Sequence, residues 1–210
     1  RDERWVVSLN PAALPRLRIN AEFERVVESE PAGAVRALKD QLQEARWLMR
    51  SVEMRQDTLL AVGQAIFSHQ EGFLRLGEEG LKPLTLKEIA EAVGVHESTV
   101  SRITTSKYVQ TPRGVYSLKA FFPSQLNGVQ GTHASGAAVK AMIRRMIRDE
   151  SPASPLRDVD IAAILARRGI RVARRTVAKY REALGMGSSK ERQLAAAPAS
   201  QFAYPLRRAQ

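Results

Sequence analysis

Residues 158–184 read DVDIAAILARRGIRVARRTVAKYREAL, and their pattern indicates how the last third of the chain folds. Its first part carries apolar residues at helical spacing, and Gly169 ends that helix because glycine adopts the left-handed conformation at little cost. Its second part, residues 173–182, turns Val177 and Ala178 inward. We therefore predict a helix-turn-helix whose second helix presents its cations outward.

Positive charge dominates the outward side and one end of this second helix. Residues 173–182 contain four cations and a single acid, whereas a solvated helix normally mixes signs. Packing like charges closely costs energy that DNA phosphates would relieve, and arginines near the helix start suit guanine O6 and N7. A plain charged solvent face is the alternative. The residues predicted to bind DNA here are Arg174, Arg175, Thr176, Lys179, Tyr180 and Arg181.

Residues 86–105, LKEIAEAVGVHESTVSRITT, are a second candidate for reading DNA. A helix-turn-helix needs a small residue where its helices cross, a glycine in the turn and apolar residues that lock the second helix. Ala90, Gly94 and Val100 fill these positions at the usual spacing. An ordinary helical pair without a DNA role is the alternative. The residues predicted on the groove-facing side are His96, Glu97, Ser98, Thr99, Ser101 and Arg102.

Shorter signals predict the connecting elements. A turn signal at residues 111–114 lies between two apolar pairs and predicts a short β-hairpin, or wing. Ser135 is placed to cap an amphipathic helix over residues 137–149. We predict a loop-rich joint over residues 72–84, where glycines and a proline cluster, and a mobile tail from Gly185 onward.

The first third of the chain has a different pattern. Residues 1–31 contain three prolines and are typical of the end of a preceding domain. From Ala34 the apolar residues follow a heptad spacing, and no proline interrupts residues 34–76. This pattern fits either a long strut of about 50 Å or two antiparallel core helices broken near Gly63. Periodicity alone leaves both open.

The charge of the 210-residue chain is strongly positive and unevenly placed, with a formal net charge of +11. Residues 1–80 hold 11 basic and 13 acidic residues, residues 81–150 hold 10 and 5, and residues 151–210 hold 12 and 4. Such an excess implies a polyanionic partner, with nucleic acid the commonest and an anionic membrane surface the main rival.

Composition also excludes several kinds of site. The chain has no cysteine, so disulfides and thiolate metal sites are excluded. No apolar run approaches the roughly 20 residues that span a bilayer, and no signal-peptide pattern is present. We expect a cytoplasmic protein with no cofactor, no bound metal and no membrane partner. Because the chain starts at Arg1 without Met, we also expect it to be a fragment of a longer protein.

Together these patterns predict a mostly α fold, with a long helix and two helix-turn-helix DNA-binding domains, the first with a short β-hairpin wing. The predicted divisions are the end of a preceding domain (1–31), the long helix with the first winged helix-turn-helix domain (32–122), a linker (123–136), the second helix-turn-helix domain (137–187) and a mobile tail (188–210).

Residues 173–182, ARRTVAKYRE, resemble the RpoN box of the sigma-54 (RpoN-type) RNA polymerase sigma factors residue for residue. Other stretches are similar to that family in the same order. LNPAALPRLRIN (9–20) resembles the end of its core-polymerase-binding region, and ARWLMRSVEMRQDTLL (45–60) resembles its extra-long helix. HESTVSRITTSKYVQTPRG (96–114) resembles its first helix-turn-helix and wing. The resemblance covers nearly the whole chain.

The resemblance implies a C-terminal fragment of a sigma factor that directs core RNA polymerase to promoter DNA. The box helix would enter the major groove at the GG-containing −24 element through Arg174, Arg175 and Lys179, while Arg102 would act near the −12 element. Only an ATP-hydrolysing AAA+ activator would open the resulting complex, through regions absent from this chain. The protein would be a non-catalytic, nucleoid-associated bacterial polymerase subunit.

Three other functions remain open at this point. A transposase or recombinase needs clustered carboxylates for metals or an activated nucleophile, whereas the acids here lie among basic neighbours and His69, His96 and His133 are scattered. A free-standing repressor and a helical interaction scaffold over residues 34–76 are the others. Two reading units of unlike sequence predict an asymmetric, bipartite DNA site with contacts about one helical turn, or 10–10.5 bp, apart.

Overall fold

The computed structural model describes residues 5–29, 36–125 and 134–196, and the chain is mostly helical there. The α-helices are α1 (Ala21–Ser29), α2 (Arg36–His69), α3 (Glu71–Leu76), α4 (Leu86–Val93), α5 (Glu97–Thr104), α6 (Gly136–Arg148), α7 (Asp158–Arg167), α8 (Arg174–Ala183) and α9 (Ser189–Ala196). Strands β1 (Tyr108–Thr111) and β2 (Gly114–Ser117) form an antiparallel hairpin. Short 3-10 turns occupy Pro11–Ala13, Gly77–Gly80 and Leu118–Phe121. The predicted fold class is confirmed.

The chain divides into two compact units. The first contains Arg1–His69 and Leu86–Lys107, and the second contains Gln70–Thr85 and Tyr108–Gln210. The domain boundaries proposed from the sequence stay a prediction. No helix in the described residues combines the length and the apolar character that a membrane span needs.

The long helix α2 is the main element of the first unit. It runs through Gly63 without a break, so the strut is confirmed and the pair of antiparallel helices is wrong. Gly63 is buried, and a Cβ at this position would lie 3.3 Å from Val7 Cγ1. The glycine therefore lets the N-terminal segment approach the helix closely, which explains why it does not end the helix.

The first helix-turn-helix is built from α4 and α5. Ile89 and Val100 are fully buried on their inner faces. The turn between them contains Gly94 at φ +74°, and the backbone N–H of Val95 donates to the Ala90 carbonyl at 3.0 Å. Because this left-handed turn favours glycine, it fixes where α4 ends and α5 begins. The predicted helix-turn-helix over residues 86–105 is confirmed as a structure.

The segment 71–80 in the second unit is helical, so the loop-rich joint predicted over residues 72–84 is wrong for this part. It contains α3 and a 3-10 turn. A Cβ on Gly72 would lie 2.8 Å from the carbonyl oxygen of Gly80, so these glycines allow two backbone segments to pack together. Beside them, Phe73 packs edge-on against Phe121, with ring centroids 4.9 Å apart.

Helices α6, α7 and α8 share one apolar core in the second unit. Its fully buried members are Val139, Ile143, Ile161, Leu165 and Val177. Ser135 caps α6 as predicted, because its Oγ accepts a hydrogen bond from the Ala138 N–H at 3.1 Å. The same hydroxyl donates to the buried Leu81 carbonyl at 2.8 Å. The second predicted helix-turn-helix is therefore confirmed as α7 and α8.

The chain after Gly185 differs from the predicted mobile tail over its first part. It forms α9, and Arg192 near the middle of this helix binds Glu150 at 2.6 Å. Arg192 also donates to the carbonyls of Leu156 and Gly187. These contacts tie α9 to the loop before α7. Residues 197–210 lie outside the described part of the chain, as does His133 of the predicted linker.

Candidate nucleic-acid interface

The turn between α7 and α8 sets the exposed surface of the second helix-turn-helix. Gly169 has φ +82°, and the N–H of Ile170 donates to the Leu165 carbonyl at 2.9 Å. Ile170 is only 7% exposed because it inserts into the apolar core. Ala173 caps α8 without a side-chain hydrogen bond, so the first backbone N–H groups of α8 have no side-chain acceptor. A negatively charged group is favoured at this end of α8, because the helix dipole is positive there.

Three of the six residues predicted to bind DNA on α8 face solvent. Arg174, Arg175 and Lys179 are exposed, and none has a carboxylate within 4.0 Å among the residues that the structure describes. Thr176 is half-buried beside them. The arrangement offers two guanidinium groups at the start of α8 and an ammonium group one turn further along.

Tyr180 follows Thr176 by four residues and shares its half-buried face of α8. It is half-buried and packs against the apolar core that α6 shares. Lys140 Nζ on α6 lies 5.3 Å from the centroid of its ring, a cation–π distance. A Cβ on Gly136 would come within 3.3 Å of the Tyr180 hydroxyl oxygen. The ring therefore contacts the start of α6, and the prediction that Tyr180 binds DNA stays a prediction.

The predicted outward position of Arg181 is wrong, because its side chain is 5% exposed and faces the interior. Its Nε donates to Asp158 Oδ1 at 2.9 Å, its Nη2 donates to Asp158 Oδ2 at 3.3 Å, and its Nη1 donates to the Met186 carbonyl at 2.7 Å. The hydrogen bond with Asp158 raises the pKa of Arg181 above its usual value. The sequence carried the signal, since Arg181 follows buried Val177 by four residues and so shares its helix face.

The ion pair between Arg181 and Asp158 has a positional consequence. Asp158 is the first residue of α7, and Arg181 lies near the end of α8. A bidentate arginine–carboxylate pair has a fixed planar geometry. The pair therefore joins the two helices of the motif and holds α8 in one orientation, with its exposed cations directed away from the core.

Sequence reasoning missed three exposed arginines beside α8. Arg167 ends α7, Arg168 follows it, and Arg171 lies in the turn. None of the three has a carboxylate within 4.0 Å in the described ranges. Their position next to residues 173–182 could have identified them, but the sequence prediction was confined to those ten residues.

The predicted site residues of the first helix-turn-helix lie on or beside α5. His96, Glu97, Ser98 and Arg102 are exposed, whereas Thr99 and Ser101 are half-buried. His96 caps the helix, since its Nδ1 accepts a hydrogen bond from the Ser98 N–H at 3.2 Å. This bond requires an unprotonated Nδ1. The exposed groups are mixed in charge, so this surface is less basic than that of α8.

In the described residues, no three His, Cys, Asp or Glu side chains are grouped so that they could hold a metal ion.

The wing is attached by Arg113, which donates to the carbonyls of Leu74 and Arg75 at the end of α3.

Comparison with known proteins gives the same family from sequence and from structure. The family described as "Sigma-54, DNA binding domain" matches residues 35–194. The RNA polymerase sigma-54 factor of Azotobacter vinelandii is 50% identical over 192 residues, which are 91% of this chain and 38% of that protein. The corresponding factor of Escherichia coli K12 is 44% identical over 189 residues, covering 90% of this chain and 40% of the relative.

A solved structure is also similar, the crystal structure of Aquifex aeolicus sigmaN bound to promoter DNA. It has a TM-score of 0.55 and 38% sequence identity, and the match covers 84% of this chain and 53% of that one. The chain thus spans about two fifths of the length of the curated relatives that it matches.

Proposed function

Because the chain belongs to the family of sigma-54 DNA-binding domains, we propose that it is the promoter-recognising part of a sigma-54-type transcription initiation factor. The observation that carries this proposal is the exposed surface of α8. Arg174, Arg175 and Lys179 have no acidic partner among the described residues, while Arg181 fixes the helix beneath them. Exposed helix cations with no carboxylate within 4.0 Å in the described residues suit the negative potential of a DNA groove.

In this proposal α8 enters the major groove at the GG-containing −24 element. Arginine donates two parallel hydrogen bonds to O6 and N7 of guanine, so Arg174 and Arg175 are suited to reading the two guanines. Lys179 carries a compact charge and is suited to a backbone phosphate. Thr176, half-buried between them, is suited to a supporting phosphate contact through its hydroxyl.

The first helix-turn-helix acts at the −12 region in the same proposal. Ser98 and Arg102 lie on the exposed side of α5 and carry the donors that phosphates or base edges accept. His96 and Glu97 stand at the start of the helix, and half-buried Thr99 and Ser101 flank it. Two unlike reading helices in one chain suit an asymmetric site.

The activity of the whole protein extends beyond this chain. We propose that the complete factor recruits core RNA polymerase to −24/−12 promoters and that an AAA+ ATPase activator opens the complex. In this role the protein is a specificity subunit without catalysis of its own, working in the bacterial cytoplasm at the nucleoid. The names of the relatives and of the DNA-bound structural neighbour support this proposal.

DNA binding by the 210-residue chain tests the proposal directly. The probes are a duplex with the −24 and −12 elements and the same duplex with the two guanines of the −24 element replaced. Arg174→Ala and Arg175→Ala should each cost about 1–3 kcal/mol on the first duplex and reduce the preference for it, if each arginine reads a guanine.

Arg148→Ala is the matched control, because Arg148 is exposed on α6 and pairs with its neighbour Asp149. It removes the same charge and should change neither affinity nor preference by more than a few fold. If the parent bound both duplexes equally, or the α8 variants kept the parent's preference, the proposed reading by α8 would be wrong.

A further inference from the structure

The arginines of the second helix-turn-helix domain fall into two groups. Six arginines in the described range 134–196 have a carboxylate within 4.0 Å, and they are Arg144, Arg145, Arg148, Arg157, Arg181 and Arg192. The other five in that range are exposed, have no such partner among the described residues and lie between residues 167 and 175. Unpaired positive charge is therefore concentrated in one short segment.

Two of these five arginines belong to α8, and the other three lie before it. Arg167 is the last residue of α7, and Arg168 and Arg171 flank the turn. Burial of Ile170 between them directs the chain so that its neighbours face solvent. Arg168 and Arg171 are thus held outward by the same packing that sets the angle between α7 and α8.

We infer that Arg167, Arg168 and Arg171 form a phosphate-binding shoulder that contacts the DNA backbone beside the bases that α8 reads. Their mutual repulsion is not offset by acids in the described residues, whereas a row of phosphates would offset it. Because these residues lie on the helix end and the turn instead of on the reading helix, they suit backbone contacts that position the protein without specifying sequence. This inference rests on the proposed function of α8.

Salt dependence separates backbone contacts from base contacts. Each phosphate contact adds about 0.9 to the steepness of log affinity against log salt concentration. The triple variant R167A/R168A/R171A should therefore have a slope less steep by about 2.7, and the affinity ratio of parent to variant should fall by about 40-fold between 50 and 200 mM salt. Its preference for the GG-containing duplex over the substituted duplex should match that of the parent.

Two further triple variants make the test specific. R167K/R168K/R171K keeps the charges and should keep the parent's slope. R144A/R145A/R148A removes three charges from α6, where each arginine has an acidic partner, and should lose much less slope. Thermal melting of the free proteins identifies any variant that fails to fold. All variants are made in the 210-residue chain, and their binding is measured on the −24/−12 duplex and on the duplex with the two guanines replaced.

The possible results decide the inference independently of the proposed function. The inferred phosphate-binding shoulder would be wrong if R167A/R168A/R171A kept the parent's salt slope. It would also be wrong if R144A/R145A/R148A lost as much slope as R167A/R168A/R171A. A parent that fails to prefer the GG-containing duplex would count against the proposed function, yet the slopes would still report whether the shoulder binds phosphates. A reduced slope with an unchanged preference supports both.

Discussion

Replacing Arg181 by Met tests whether the box helix is held by a buried ion pair. The variant keeps most of the side-chain volume but leaves Asp158 without its two hydrogen bonds and the Met186 carbonyl without its donor. Breaking a buried ion pair costs about 3–5 kcal/mol, and a hydrogen bond to a charged group contributes about 1.5–3 kcal/mol. The Asp158 side chain is 19% exposed, so water partly replaces its lost partner. We therefore expect a loss of about 2–3 kcal/mol.

Thermal and urea denaturation measure this loss. For a chain of this size, 2–3 kcal/mol corresponds to a decrease in Tm of about 4–12 °C. The double variant D158N/R181M should lose less than the sum of its two single variants, because neither partner then remains as an unpaired charge. Additive losses would show that the two residues do not interact.

The same variant separates burial from DNA contact. At a temperature where R181M is folded, its DNA affinity should change with salt concentration as steeply as that of the parent. The reason is that Arg181 is buried and does not contact DNA in the proposal. Lys179→Met, by contrast, should reduce the slope by about 0.9 if Lys179 contacts a phosphate. An R181M variant as stable as the parent but with a reduced slope would refute the buried position of Arg181.

Three further predictions concern the packing around the interface. Gly80→Ala should lower the free energy of unfolding by about 1–3 kcal/mol, measured in urea, because the added Cβ would meet the backbone opposite. Arg192→Met should release α9 and increase amide exchange across residues 189–196, because the ion pair with Glu150 is lost; unchanged exchange would show that the pair does not hold the helix. The pKa of Glu191 should lie below its usual value, because the backbone N–H and hydroxyl of Ser188 favour the ionised carboxylate. Its contribution to the stability of α9 should then be complete above the unfolded-state pKa of about 4.3 and decline as the pH falls through the lowered folded-state value; NMR titration of Glu191 in the parent and in Ser188→Ala measures both.

The sequence was sufficient to predict most of the local structure. Gly94 and Gly169 both stand at positive φ in the turns of their motifs, so the spacing of apolar residues around them was enough to place four helices. Ser135 was recognised as a cap because a small hydroxyl residue preceded an amphipathic pattern. These features depend on neighbours in the sequence, and such neighbours are visible without a structure.

Features that depend on distant residues were predicted less well. Gly63 and Gly72 resemble helix breakers in sequence, yet Gly63 makes room for the side chain of Val7, far earlier in the chain, and Gly72 makes room for the backbone of Gly80. Arg181 was counted with the outward cations because the partner that turns it inward, Asp158, lies 23 residues earlier. The contact of Tyr180 with Lys140 on α6 is likewise invisible in the sequence, since the two residues lie 40 positions apart. Only tertiary packing reveals these partners.

The proposed function requires α8 to read guanines in the major groove through Arg174 and Arg175. Methylation protection by dimethyl sulfate tests it most directly, because the reagent attacks guanine N7, which a bidentate arginine covers. With the 210-residue chain bound to a −24/−12 duplex, both guanines of the GG element should be protected, and the double variant R174A/R175A should restore their reactivity. If both guanines stayed fully reactive while the parent chain was bound, α8 would not be the reading helix.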